Sequence, residues 1–138
     1  MTDNKLTITI SSFSFKKGYP SDPSGNGGGF VFDCRFLNNP GRYEQYKQLT
    51  GLDAPVIEFL QSNSDIDDFV EKVYNIVKDA LDNYTARNFD SLQVNFGCTG
   101  GRHRSVYSAE KLGNIVRENW PDINVRIIHR EQNIDKTL

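Results

Sequence analysis

Leu92-Gln93-Val94-Asn95-Phe96-Gly97-Cys98-Thr99-Gly100-Gly101-Arg102-His103-Arg104-Ser105 is the stretch around which the chain is organised. It opens on a short apolar run, passes through small residues, and leads into apolar residues at helical spacing: Val106, Ala109, Leu112, Ile115 and Val116. A strand, a small-residue loop and a helix start bring free backbone N–H groups and the positive end of a helix dipole onto an anion. Glycines alone would only punctuate local structure. Here Thr99, His103, Arg104 and Ser105 add hydroxyl, imidazole and guanidinium donors, and the glycines let the backbone approach closely. A cation near a helix N-terminus is disfavoured by roughly 0.3–1 kcal/mol, so Arg104 implies an anion that offsets it.

The 138 residues suit one domain, residues 1–138, large enough to hold a core without disulfides. A net charge of −2 supplies no basic excess for gripping nucleic acid nonspecifically. Two cysteines, Cys34 and Cys98, are too few for a secreted framework, and the N-terminus has no apolar signal region. No apolar run reaches the length of a membrane span. A cytoplasmic protein with reduced thiols is expected, with no metal site and no cofactor.

Residues 6–10 alternate apolar and polar β-formers and predict a strand with one buried face. Residues 11–18 leave it with hydroxyls and two lysines, Lys16 and Lys17. In residues 19–29 Pro, Ser and Gly crowd out periodicity, which predicts a mobile loop; no Gly-x-x-x-x-Gly-Lys-Ser/Thr motif makes it a nucleotide loop. Residues 30–37 read as a second strand, with Asp33 and Arg35 either paired internally or facing a ligand.

Residues 42–48 predict a short polar helix, and Asp53 caps a further helix with Pro55 in its first turn. Ile66, Phe69, Val70, Val73, Val77, Ala80, Leu81 and Tyr84 form the stripe of the longest amphipathic helix. Its three leading aspartates suit the dipole rather than a metal. The helix after the glycine loop runs to about Asn119, residues 123–129 read as a last strand, and residues 131–138 are expected to fray. The fold class is therefore α/β, a single-layer mixed or largely parallel sheet flanked by helices. Ligands in such sheets sit beyond the carboxyl ends of the strands. That places residues 98–105, 11–17 and 33–35 on a common rim, with Lys16, Arg35 and His129 as further candidate ligand residues.

Cys98 and Arg104 also stand at the Cys-x5-Arg spacing of cysteine-dependent phosphatases, whose thiolate attacks a phosphate held by loop amides and the arginine. Gly97 stands where most tyrosine phosphatases of this type carry a histidine, and no general acid is identifiable.

The segments Ser12-Phe13-Ser14-Phe15-Lys16-Lys17-Gly18-Tyr19-Pro20, Val31-Phe32-Asp33-Cys34-Arg35-Phe36-Leu37-Asn38-Asn39-Pro40, Leu49-Thr50-Gly51-Leu52-Asp53-Ala54-Pro55-Val56 and residues 97–106 occur in order. Together they resemble the C-terminal domain of the RapZ (YvcJ) family of bacterial RNase adapter and nucleotide-binding proteins, over nearly the whole chain. The resemblance implies a domain likened to the sugar-phosphate-binding part of phosphofructokinase. Such a domain senses glucosamine-6-phosphate and, in enterobacterial members, binds small regulatory RNA. By motif, the ligand role falls to Asp33, Thr99, Gly100, His103 and Arg104, and the loop reading adds Cys98, Gly101 and Ser105.

The sequence departs from the family at three points. A P-loop domain is not in this sequence, so ATP or GTP hydrolysis is not expected. Gly41 follows Pro40 where some members have a ligand-contacting histidine. The basic end used for RNA is reduced to Glu131-Gln132-Asn133-Ile134-Asp135-Lys136, which removes the electrostatic share of RNA affinity. The expected function is binding of a small phosphorylated metabolite, an amino-sugar phosphate, without catalysis. A phosphatase using Cys98 and Arg104 and an RNA-binding adapter are the alternatives, and an RNA or protein partner would read the bound state.

Overall fold

Alternating β-formers make one face of a strand apolar and the other polar, and the sheet is built on such a strand at its centre. The computed structural model describes residues 5–23, 25 and 29–138. Strand β1 (Thr7–Ser14) runs in its middle, and β2 (Gly29–Asp33) lies toward one edge. Two helices follow, α1 (Ala54–Asn63) and α2 (Ile66–Ala86), then β3 (Ser91–Cys98), α3 (Arg104–Asn119), β4 (Asn124–His129) and β5 (Ile134–Thr137). The strand order is β2-β3-β1-β4-β5; every neighbouring pair is parallel except β4 and β5. The α/β class and the mixed, mostly parallel sheet are as the sequence predicts.

The helices cover one face. Ile8, Ile10, Leu92, Val94, Phe96, Val125 and Ile127 are buried in a single core with Val70, Val73, Val77 and Leu81 of α2 and Ala109, Leu112 and Val116 of α3. The residues between them in the strands, such as Thr7, Thr9, Ser11, Gln93 and Asn95, line a cavity of about 650 Å³ on the opposite face, walled by residues 19–23. Gln93 Nε2 donates to the Ser21 carbonyl and to Asp22 Oδ1, both at 3.3 Å. Parallel strands covered on both faces are apolar throughout. A helix layer on one side only is what lets these strands alternate.

Four expectations are corrected. The second strand ends at Asp33 rather than at residue 37, because Arg35 N donates to Asp33 Oδ1 at 2.8 Å and turns the chain. The polar helix over 42–48 is two 3-10 turns, Pro40–Arg42 and Glu44–Tyr46. Asp53 occupies the cap position of α1, yet its carboxylate accepts from Thr50 N at 2.7 Å instead of capping the helix. The tail does not fray: Arg130–Gln132 forms a 3-10 turn, and Asn133 takes the left-handed conformation that leads into β5. Leu138 N donates to the Val125 carbonyl at 2.9 Å, and Lys136 Nζ lies 2.8 Å from Glu110 Oε2. The expected mobile loop falls partly on residues 24 and 26–28, outside the described residues.

A candidate anion-binding site

The carboxyl ends of β1, β2 and β3 lie together, since Ser14 pairs with Cys98 and Asp33 with Gly97. The glycine loop leaves β3 at this edge and enters α3, whose N-terminus no side chain caps. Amides of a first helical turn have no intrahelical acceptor, so α3 offers them to a ligand. Gly101 has φ of 64°, and a Cβ there would meet Glu131 Cγ and Ser14 N at 2.7 Å. The loop path therefore needs glycine at that position, both for its handedness and for its close approach to β1.

Arg104 is the first residue of α3 and is 4% exposed. Its Nη1 donates to the carbonyls of Arg35 at 2.9 Å and Leu37 at 3.0 Å. Its Nε is buried and meets no acceptor among the described residues, and no carboxylate there forms an ion pair with it. A buried guanidinium without a counter-ion is unfavourable unless an anion completes its shell.

Two clefts open on this arginine. The smaller, about 140 Å³, is lined by Asn39, Gly41, Cys98, Thr99, Gly100, Arg102, His103 and Arg104. The larger, about 600 Å³, shares Thr99 and Arg104 and runs between residues 35–39 and residues 63–65, with Arg42 beside them.

Of the residues read from the sequence, Cys98, Thr99, Gly100, His103 and Arg104 meet at the smaller cleft, and Arg35 reaches the larger. Gly101 and Ser105 stand behind the surface: Gly101 is buried, and Ser105 Oγ lies 3.1 Å from Cys98 Sγ with no exposure of its own. Asp33 lines neither cleft. It is clamped by Arg35 Nε and Nη2 at 2.9 and 2.7 Å, and this bond, above all, holds its carboxyl below the usual range. The internal-pair reading of Asp33 and Arg35 is the one the geometry adopts, with the Arg35 guanidinium 4.0 Å over the Phe15 ring.

Lys16 is exposed on the 3-10 turn Phe15–Lys17 and lines neither cleft. His129 is fully buried elsewhere, between Ser12 Oγ at 2.6 Å and Glu110 Oε2 at 2.7 Å. Sequence reasoning missed Asn38, Asn39, Asn63, Ser64 and Asp65 as cleft walls. Only the Asn-Asn-Pro-Gly run gave a signal, and it reads as a chain break.

His103 is 6% exposed, burial lowers its pKa, and Nε2 is 2.9 Å from the Tyr46 carbonyl, which accepts the ring N–H. The Arg102 guanidinium is also held by backbone carbonyls, donating from Nε to Leu49 O at 3.1 Å and from Nη2 to Gln48 O at 3.3 Å. A Cβ at Gly97 would come within 2.6 Å of the Phe13 and Phe15 rings, so the histidine that phosphatases carry has no room there. Cys98 borders the smaller cleft but is 2% exposed.

The chain is thus an α/β domain with a mostly parallel sheet, a helix layer on one face and a glycine loop feeding a helix start beside a buried arginine. The chain is a member of the RapZ C-terminal domain family, whose family model matches residues 6–133. It is 42% identical over 130 residues to a nucleotide-binding protein of Pseudoalteromonas translucida, an overlap of 94% of this chain and 44% of the relative. A nucleotide-binding protein of Alteromonas mediterranea is 41% identical over 130 residues, with the same coverages. One of Pasteurella multocida is 40% identical over 129 residues, 94% of this chain and 42% of the relative. The chain thus spans less than half the length of these relatives.

Proposed function

We propose that this chain binds a small phosphorylated metabolite, an amino-sugar phosphate such as glucosamine-6-phosphate, and serves as a regulatory sensor without catalysis of its own. The observation that carries the reading is Arg104, a buried guanidinium facing a cleft with no carboxylate partner among the described residues. The phosphate would take the smaller cleft, on the amides of residues 99–104. The larger cleft would take the sugar, where Asn38, Asn39 and Asn63 suit hydroxyl groups and Asp65 suits an ammonium. The names of the relatives also support a phosphorylated ligand, although those names belong to proteins more than twice as long. A cytoplasmic setting goes with this reading; both cysteines are unbridged, and no described helix is long and apolar enough to cross a membrane.

Calorimetric titration tests the proposal. Glucosamine-6-phosphate should bind more tightly than inorganic phosphate, and glucosamine should not bind measurably. Equal binding of glucosamine and its phosphate would contradict it. The phosphatase alternative is checked alongside: release of phosphate from an aryl phosphate by the wild type but not by Cys98→Ser would show a catalytic loop.

A further inference from the structure

The amides of the loop are aimed from behind by groups outside it. In a trans peptide the carbonyl and the next residue's N–H point in opposite directions across one plane, so holding the carbonyl sets the amide. The Thr99 carbonyl accepts from Ser14 Oγ at 2.6 Å, the Gly101 carbonyl from Gln132 Nε2 at 3.0 Å, and the Arg102 carbonyl from Gly51 N at 2.9 Å. Ser14 and Gln132 pull from one side. Glu131, next to Gln132, accepts from Ser14 N at 2.8 Å, and Arg130 Nη2 donates to the Ser14 carbonyl at 3.3 Å. The N–H groups of Gly100 and Arg102 therefore point away from the turn Arg130–Gln132, and both residues line the smaller cleft while no residue of that turn lines either cleft.

Gln132 is the informative member. With Nε2 on Gly101, its Oε1 is buried and meets no donor among the described residues. An unsatisfied buried amide oxygen opposes folding, and an apolar side chain of equal size would avoid that cost. Packing gives no reason for an amide here. Bracing the glycine loop does.

We infer that Gln132, together with Ser14, is a positioning residue of the anion site, and that Gln132 couples the site to the docking of the edge strand β5. The inference rests on the binding reading above. Coupling of this kind is reciprocal: a docked β5 holds the brace, and a bound anion holds β5. Because β5 is an edge strand, a protein partner that pairs with it or displaces it would change affinity at a cleft it never touches.

The test titrates inorganic phosphate and glucosamine-6-phosphate into the wild type, Gln132→Met and Gln132→Asn, and follows amide exchange of residues 134–137. Met keeps the volume without a donor, while Asn keeps an amide too short to reach Gly101. Both should weaken binding by about fivefold to tenfold, the order expected for one lost hydrogen bond, and Met, which also removes the unpaired Oε1, should cost less thermal stability than Asn. Ligand should slow exchange in β5 of the wild type and have less effect in the variants. Wild-type affinity and unchanged β5 protection in both variants would overturn the inference while leaving the binding reading intact. Absence of binding to the wild type would instead remove the binding reading, and this inference with it.

Discussion

Arg104 concentrates the chemistry of the site in one side chain. Its charge is out of water, one nitrogen holds two backbone carbonyls, Nε meets no acceptor among the described residues, and the residue lines both clefts. Arg104→Lys keeps the charge but cannot hold both carbonyls and still present a second edge to an anion. Phosphate affinity should fall by about tenfold or more, read by calorimetry. Denaturant titration should show a loss of about 1–3 kcal/mol as a carbonyl of Arg35 or Leu37 goes unpaired. His103 beside it gives a pH signature. Burial lowers its folded pKa, so below about pH 6.5 the unfolded chain binds the proton more readily than the folded one. Stability should therefore fall as pH drops through that range, and His103→Gln should flatten this part of the curve; a wild-type curve that rises toward acid would contradict the assignment. The sequence showed which of these residues share a loop, because spacing along one strand, turn and helix start is local. It did not show that His103 spends its N–H on Tyr46, a partner 57 positions away.

Among the elements, β5 is the one whose reading changed most. Ile134, Asp135, Lys136 and Thr137 alternate in burial, but only Ile134 is apolar, so the sequence carries no pattern that distinguishes this strand from a solvated tail. What holds it is distant in sequence: Lys136 bonds to Glu110 of α3, Glu110 bonds to His129, and His129 to Ser12. Burial works to raise the Glu110 pKa, but the hydrogen bonds from His129 and Lys136 outweigh it and the net direction is down. The stability this supplies is present above the ordinary carboxylate range and is lost as pH falls through it. Glu110→Ala should cost about 1–3 kcal/mol, because it leaves the buried His129 ring short of a partner. Asp135→Ala should cost less, since the Arg126–Asp135 pair is half-exposed. Equal melting temperatures for the two variants would show that the buried network does not anchor the strand. By contrast, α2 and α3 were legible from their stripes, whose period repeats over four to six turns.

At the scale of the whole molecule, the rule that ligands sit beyond the carboxyl ends of parallel strands brought β1, β2 and β3 to one rim before any geometry was known. The far wall of the larger cleft was not legible in the same way. Asn63, Ser64 and Asp65 join α1 to α2, and their place opposite Arg104 depends on how the helix layer packs, which no local pattern encodes. Charge is also arranged globally: Arg126 pairs with Asp135, Arg130 with Glu131 and Lys136 with Glu110, so these cations of the carboxyl-terminal region are neutralised within the fold. RNA binding, measured by gel shift, should accordingly be weak and steeply dependent on salt; tight, sequence-selective binding at physiological salt would favour the adapter reading. The central claim, that an anion sits on the glycine loop, is tested most directly by titrating inorganic phosphate and glucosamine-6-phosphate into labelled protein and following the backbone amides. The amides of residues 99–105 should shift first and together, with Gly100 and Arg102 among them. Shifts confined to residues 19–23 and the cavity they wall would contradict the account.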